Sequence, residues 1–251
     1  MYVFSALDFM PSIDNGAVTY LNSFAHRSWA ADCFVRFLND VNWLKGGVVM
    51  TAYWWAWFRT PENRTEPGSR NPRDTLLYTL LICVPSVLIA RLMALFLPFR
   101  LRPVYNPELH LRIAFTWAPE TLASWSSFPS DHAVLFFTLA TGIYLVSRRL
   151  GWLMYLYTAV FIGLPRVYLG IHYPSDILAG ALLGVAIAST VRIVALCQVV
   201  NWPAQRLLEY SPGLFYAALF QLSYLTTELY NPLRDMGSIM LKILHILVSR
   251  R

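Results

Sequence analysis

Six apolar runs restrict what this chain can become. They cover about Trp43–Phe58, Thr75–Phe99, Ser130–Ser147, Trp152–Leu164, Pro174–Cys197 and Pro212–Leu229, and the stretches between them are rich in Pro, Gly and charge. A backbone inside lipid has no water to bond, so such a run folds as a helix that satisfies its own N–H and C=O groups. Composition points the same way. Charged residues make up 14% of the chain and hydrophobic residues 57%, whereas soluble domains carry about 25% charge. Nine Trp and fourteen Tyr suit the aromatic belts at two membrane interfaces. The expected fold is all-α: a polytopic membrane helix bundle of about six transmembrane helices with an N-terminal amphipathic helix.

The transmembrane domain is expected over residues 43–230. Before it, in residues 1–42, apolar and polar positions recur at helical spacing from Val18 to Asp40, as in an amphipathic helix on the membrane surface or packed over a site. After it, residues 231–251 end in an apolar stretch too short to span, which suits a second interfacial helix. The first apolar run lacks a basic leader, so no cleavable signal peptide is expected and the first span would act as its own signal. Cys33, Cys83 and Cys197 are scattered in apolar sequence and read as free thiols. The net charge of +6 comes largely from Arg residues in short loops. It reads as a topology signal rather than a nucleic-acid surface.

That signal sorts the loops. Segments 59–74, 148–151 and 198–211 hold Arg59, Arg64, Arg70, Arg73, Arg148, Arg149 and Arg206, and read as cytoplasmic. By parity, 100–129 and 165–173 face the periplasm or exterior. Ionisable residues on that side need another reason to sit at the ends of spans. Pro174 suits a first helical turn, which puts Asp176 in that turn and His172 just outside it. A carboxylate that orients a His leaves the other ring nitrogen free as base or nucleophile. Ser130 suits an N-cap, with Asp131 and His132 in the first turn beside amides that can hold a phosphate. Arg91, Arg100, Arg102 and Arg166 add four cations. Cations around two histidines fit phosphoryl transfer, with one His attacking and one protonating the leaving oxygen.

These segments resemble the type-2 phosphatidic acid phosphatase superfamily. Its signature runs Lys, six residues, Arg-Pro; then Pro-Ser-Gly-His; then Ser-Arg, five residues, His, three residues, Asp. Arg102-Pro103 matches the end of the first part. Pro129-Ser130-Asp131-His132 matches the second with Asp for Gly, as in bacterial undecaprenyl-pyrophosphate phosphatases of the superfamily. Arg166, His172 and Asp176 match the third with Pro165 for Ser. The family Lys falls at Leu95, and Arg91 or Arg100 is positioned to replace it.

The resemblance implies that His172 is the nucleophile, forming a phosphohistidine, that Asp176 holds its tautomer, and that His132 is the general acid. It implies that Arg102, Arg166, Ser130 and Asp131 bind phosphoryl oxygens, assisted by Arg100 and Arg91, with no metal and no cofactor. A zinc site on His132, His172 and Asp176 is disfavoured because the Arg residues would repel a cation. His26, His110 and His245 read as interfacial, and Glu108, Glu120, Trp117 and Trp125 as fold or head-group residues. Arg91 is equally suited to snorkelling.

The expected activity is that of an integral membrane lipid phosphatase with an outward site, in a bacterial inner membrane. Undecaprenyl pyrophosphate is the favoured substrate, and phosphatidate or phosphatidylglycerol phosphate the close rival. A phosphotransferase that passes the phosphoryl group to another lipid, such as lipid A, would share the first half-reaction.

Overall fold

The computed structural model describes the backbone of residues 6–11, and both backbone and side chains of 12–59, 71–112 and 123–232. It is helical throughout its regular structure. Two helices, α1 (Ala6–Asn22) and α2 (Trp29–Asp40), precede a π turn (Trp43–Gly47) that leads into α3 (Val48–Arg59). Then come α4 (Pro72–Phe96) and α5 (Asp131–Val146). Next, α6 (Arg148–Tyr157) passes through a second π turn (Thr158–Gly163) into α7 (Leu164–Tyr168). The described residues end with α8 (Pro174–Ser189), α9 (Val194–Tyr210) and α10 (Pro212–Thr227). The starts are written in the sequence. Ser28, Asn71, Ser130 and Ser211 each accept a backbone N–H of the first turn, and Pro72, Pro174 and Pro212 occupy first-turn positions.

Among the described residues, Pro72–Phe96, Arg148–Tyr168 and Pro174–Arg192 are long and apolar enough to cross a membrane; Asp131–Val146 is apolar but shorter. The chain is thus a helical membrane bundle.

Three expected boundaries move. The amphipathic stretch is two helices, because the chain turns after Asn22 and restarts at the Ser28 cap. The fourth span does not end at Leu164: it continues to Tyr168 and carries Arg166 on its last turn. The fifth ends at Arg192, and the expected loop 198–211 is occupied by α9. Asn201 and Gln205 of α9 donate to the backbone and side chain of Asp74, so these polar residues dock a helix on the start of α4. The middle of the 59–74 loop and all but the first residues of the 231–251 tail lie outside the described residues, as do Glu120, Trp117 and His245.

Helix α5 is the axis of the bundle, packed against α3, α4, α6 and α8. Its Leu135, Phe136, Leu139 and Ile143 are buried with Tyr53, Leu76, Leu80 and Phe215. Lipid gives helices little hydrophobic reason to associate, so close approach through small residues matters more. A Cβ at Gly180 would lie 2.6 Å from the Ser130 carbonyl oxygen, and one at Gly184 2.5 Å from that of Val134. These two glycines set α8 directly against α5. The Ser130 N–H then donates to the Asp176 carbonyl at 3.2 Å, so the beginnings of α5 and α8 stand side by side. Helices α1 and α2 pack over this end against α7 and α8.

Candidate active site

Both histidines of the sequence motifs meet where α5 and α8 begin. His172 sits in the short connection before α8 and is buried. Its Nδ1 lies 2.8 Å from the Ser127 carbonyl oxygen and 3.6 Å from Asp176 Oδ2. A carbonyl can only accept, so Nδ1 carries the proton and Nε2 keeps its lone pair. Nε2 lies 3.4 Å from Arg102 Nη1. Burial pushes the His172 imidazole below its ordinary pKa, and Arg102 and Arg166 add to that while Asp176 opposes it. A neutral ring whose Nε2 is unprotonated, here facing an Arg102 N–H, is a nucleophile in its reactive form.

His132 stands in the first turn of α5. Its Nδ1 is 2.9 Å from Asp131 Oδ1, which also accepts the His132 backbone N–H at 2.8 Å. Nδ1 therefore donates to Asp131, leaving Nε2 as the exchangeable position.

Arg102 is buried on three carbonyls. Nε donates to Trp125, Nη1 to Ile171 at 3.0 Å and Nη2 to Ser126. Burial lowers its pKa, although a guanidinium stays charged at any working pH. Arg166 is buried too, and its Nε has no hydrogen-bond partner among the described residues. A buried donor without a partner is expensive unless a ligand supplies one. The Ser127 hydroxyl is also buried and unpartnered.

The other predicted residues have protein partners of their own. Arg100 does not turn to the histidines' open side. Its Nη1 donates to Ser175 Oγ at 2.8 Å and to Asp176 Oδ1 at 2.5 Å, and its Nη2 to Asp14 Oδ2 at 2.6 Å. Its carbon also lies 4.2 Å from the Tyr173 ring centre. These side-chain contacts make Arg100 a brace for Asp176. Asp176 is braced again by the Tyr173 N–H, which donates to Oδ2 at 2.8 Å. Ser130 spends its hydroxyl on the α5 cap and its N–H on the Asp176 carbonyl, so it holds two helices in register. Arg91 donates to the Leu229 carbonyl at 3.1 Å and approaches Asp131 Oδ2 at 3.9 Å.

Two charged residues escaped the sequence reading. Asp14 of α1 is buried, accepts the Ser175 N–H and hydroxyl, and pairs with Arg100. The N-terminal layer thereby reaches the α8 side of the site. Lys45 is buried in the π turn before α3, and that turn packs against the π turn Thr158–Gly163 ahead of Arg166. The available signal was a lone cation at the head of an apolar run. For the Ser127 carbonyl there was none, since backbone groups leave no mark in a sequence.

Among the described residues, no three His, Cys, Asp or Glu side chains are gathered as metal ligands. A cavity of about 910 Å³ opens elsewhere, between α3 and α10, walled by Trp54, Trp55, Phe58 and Phe220. It is apolar and carries none of the residues above.

The fold defines a helical membrane protein, and comparison gives the family. The PAP2 superfamily model matches residues 46–198, more than half of the chain, and the chain belongs to that superfamily. The match takes in both histidines, Arg102, Arg166 and Asp176. Three curated relatives are similar. The bacitracin transport permease protein BcrC of Bacillus licheniformis is 50% identical over 60 residues, 24% of this chain and 29% of the relative. An undecaprenyl-diphosphatase of Sulfolobus acidocaldarius is 41% identical over 58 residues, 23% of this chain and 28% of the relative. The undecaprenyl-diphosphatase BcrC of Bacillus subtilis is 22% identical over 167 residues, 66% of this chain and 76% of the relative. The two higher-identity matches thus span less than a third of the relatives' own length.

Proposed function

We propose that this protein is a lipid phosphatase that transfers a phosphoryl group to His172 and then to water. The observation that carries the reading is the state of His172: Nδ1 fixed on a backbone carbonyl, Nε2 beside the buried Arg102 guanidinium. Nε2 attacks phosphorus, the bond from phosphorus to the lipid-side oxygen breaks, and that oxygen takes a proton from His132 Nε2. Arg102 and Arg166 hold the oxygens whose charge grows in the transition state. Water then attacks the phosphohistidine, the N–P bond breaks, and His132 accepts the water's proton. Phosphate leaves and both rings are reset. Asp131 keeps the His132 ring turned for both proton transfers, and Asp176, braced by Arg100, does the same for His172.

A polyprenyl pyrophosphate is the favoured substrate, supported by Asp131 in the second motif and by the names of the relatives. Phosphatidate and phosphatidylglycerol phosphate are the alternatives. The site faces the exterior, a reading supported by the Arg residues of the opposite loops.

The test is phosphate release in detergent from polyprenyl pyrophosphate, phosphatidate and phosphatidylglycerol phosphate, with and without an acceptor lipid, and with chelator or vanadate added. Fastest release from the pyrophosphate, unaffected by chelator and blocked by vanadate, is expected. Loss in chelator with recovery on adding zinc or magnesium would overturn the metal-free mechanism. Phosphate appearing on the acceptor lipid instead of in solution would make the protein a phosphotransferase.

A further inference from the structure

We propose that Lys45 binds the phosphoryl group as a third cation of the site, delivered from the head of α3. The proposal rests on the phosphatase reading and goes beyond its motifs, since Lys45 lies just outside the matched segment 46–198.

Four observations point there. First, Lys45 is 6% exposed in a region of membrane-facing helices, where a charge is retained only for a reason. Second, its ammonium donates to the Asn39 carbonyl, a neutral acceptor, and this is one bond for a group with three donors. Third, each carboxylate within its electrostatic range is bonded elsewhere: Asp131 to His132, Asp40 to Arg36 and Asn39, Glu228 to Asn42. No salt bridge joins Lys45 to any of them among the described residues. Fourth, the π turn that holds Lys45 packs against the second π turn, Thr158–Gly163, which leads directly into α7 and Arg166. Neighbouring buried cations repel, and an arrangement that holds Lys45 near Arg166 is completed by a multiply charged anion.

The local backbone explains how Lys45 gets there. Trp43 and Gly47 line the cavity between α3 and α10, whereas Lys45 does not. A Cβ on Gly46 would fall 2.5 Å from Thr227, so this turn is pressed against α10. The Tyr157 hydroxyl donates to the Leu44 carbonyl and ties the turn to α6. Leu95, where the first motif would place a lysine, is 66% exposed and apolar. Lys45 supplies an ammonium from another helix.

The experiment compares wild type with Lys45→Met and Lys45→Arg in detergent, measuring kcat/KM on the lipid substrate, inhibition by orthovanadate and thermal midpoint. Removing one transition-state hydrogen-bond donor lowers rates by about 10²–10³-fold. Lys45→Met is expected to lose kcat/KM on that scale and to bind vanadate at least ~10-fold more weakly. Its thermal midpoint should be unchanged or raised, since a buried cation has been replaced by an apolar chain. Lys45→Arg should recover part of both losses. Vanadate inhibition and kcat/KM within about twofold of wild type would overturn the proposal, as would activity lost together with thermal stability in both variants. A wild-type protein that releases no phosphate would instead overturn the phosphatase reading itself.

Discussion

Arg100 and Arg166 are arginines at the same end of one bundle, in opposite company. Arg100 is held by two carboxylates, Asp14 and Asp176, and by the Ser175 hydroxyl. Arg166 is the more buried of the two, and its Nε has no hydrogen-bond partner among the described residues. Arg100 is part of the scaffold because its charge is already matched. Arg166 makes no salt bridge among the described residues, and Arg102 donates to three neutral carbonyls. Sequence distance from a motif does not separate these two environments; direct bonding to a carboxylate does.

The comparison can be pressed by mutation, starting with the histidine that Arg102 faces. His172→Ala is expected to abolish both turnover and phosphoenzyme, measured by acid-quench trapping with labelled substrate; residual phosphoenzyme would show that another group attacks. His132→Ala should lower the rate on a lipid monophosphate by about 10²–10⁴-fold. It should lower the rate far less on an aryl phosphate, whose leaving group needs little protonation, and equal losses on both would remove His132 from the acid role.

Arg166→Gln should reduce kcat/KM by about 10²–10³-fold while leaving the thermal midpoint near that of wild type. Asp14→Ala should do the reverse. It strips one partner each from Arg100 and Ser175, so a stability loss of about 1–3 kcal/mol is expected, with activity within about tenfold of wild type. If Asp14→Ala proved as inactive as Arg166→Gln at full stability, the distinction between scaffold and ligand would fail.

The smallest effect concerns pH. Burial, Arg102 and Arg166 hold the His172 pKa below the ordinary value of 6.5. Nε2 therefore stays unprotonated as pH falls through that ordinary value, and the acidic limb of log kcat/KM should lie below it. Asp176 opposes the shift, so Asp176→Asn should move the limb to still lower pH. A limb that moves upward would mean that Asp176 acts on another group.

Much of this was legible in the chain. The runs near 75–99, 130–147 and 174–197 became α4, α5 and α8, because length and hydropathy decide a membrane helix with little tertiary help. The three motifs gathered as their spacing implied, since His172 and Asp176 are separated by one Pro-started turn. What the sequence left out depends on partners far along the chain. α9 reads as a loop until Asp74 is there to receive Asn201 and Gln205. The bond from Arg100 to Asp14 spans 86 residues and leaves no mark in the sequence. The bond from the Ser130 amide to the Asp176 carbonyl depends on the glycines of α8, whose closeness to α5 shows only in the fold.

The two π turns carry a consequence for how this chain can vary. A π turn closes i to i+5 and so holds one residue more than an α turn. Thr158–Gly163 lies just before Arg166, and Trp43–Gly47 contains Lys45. Excising a single residue from the first would let that turn close as ordinary α while Arg166 keeps its facing, because the extra residue is absorbed within the one wide turn. Removing a residue from the regular α turn that follows would instead rotate Arg166 by about 100°. The wide turn is thus a place where the length of the span can change without moving the site. Related chains should tolerate a one-residue gap at Val160 or Phe161 and reject one between Leu164 and Arg166.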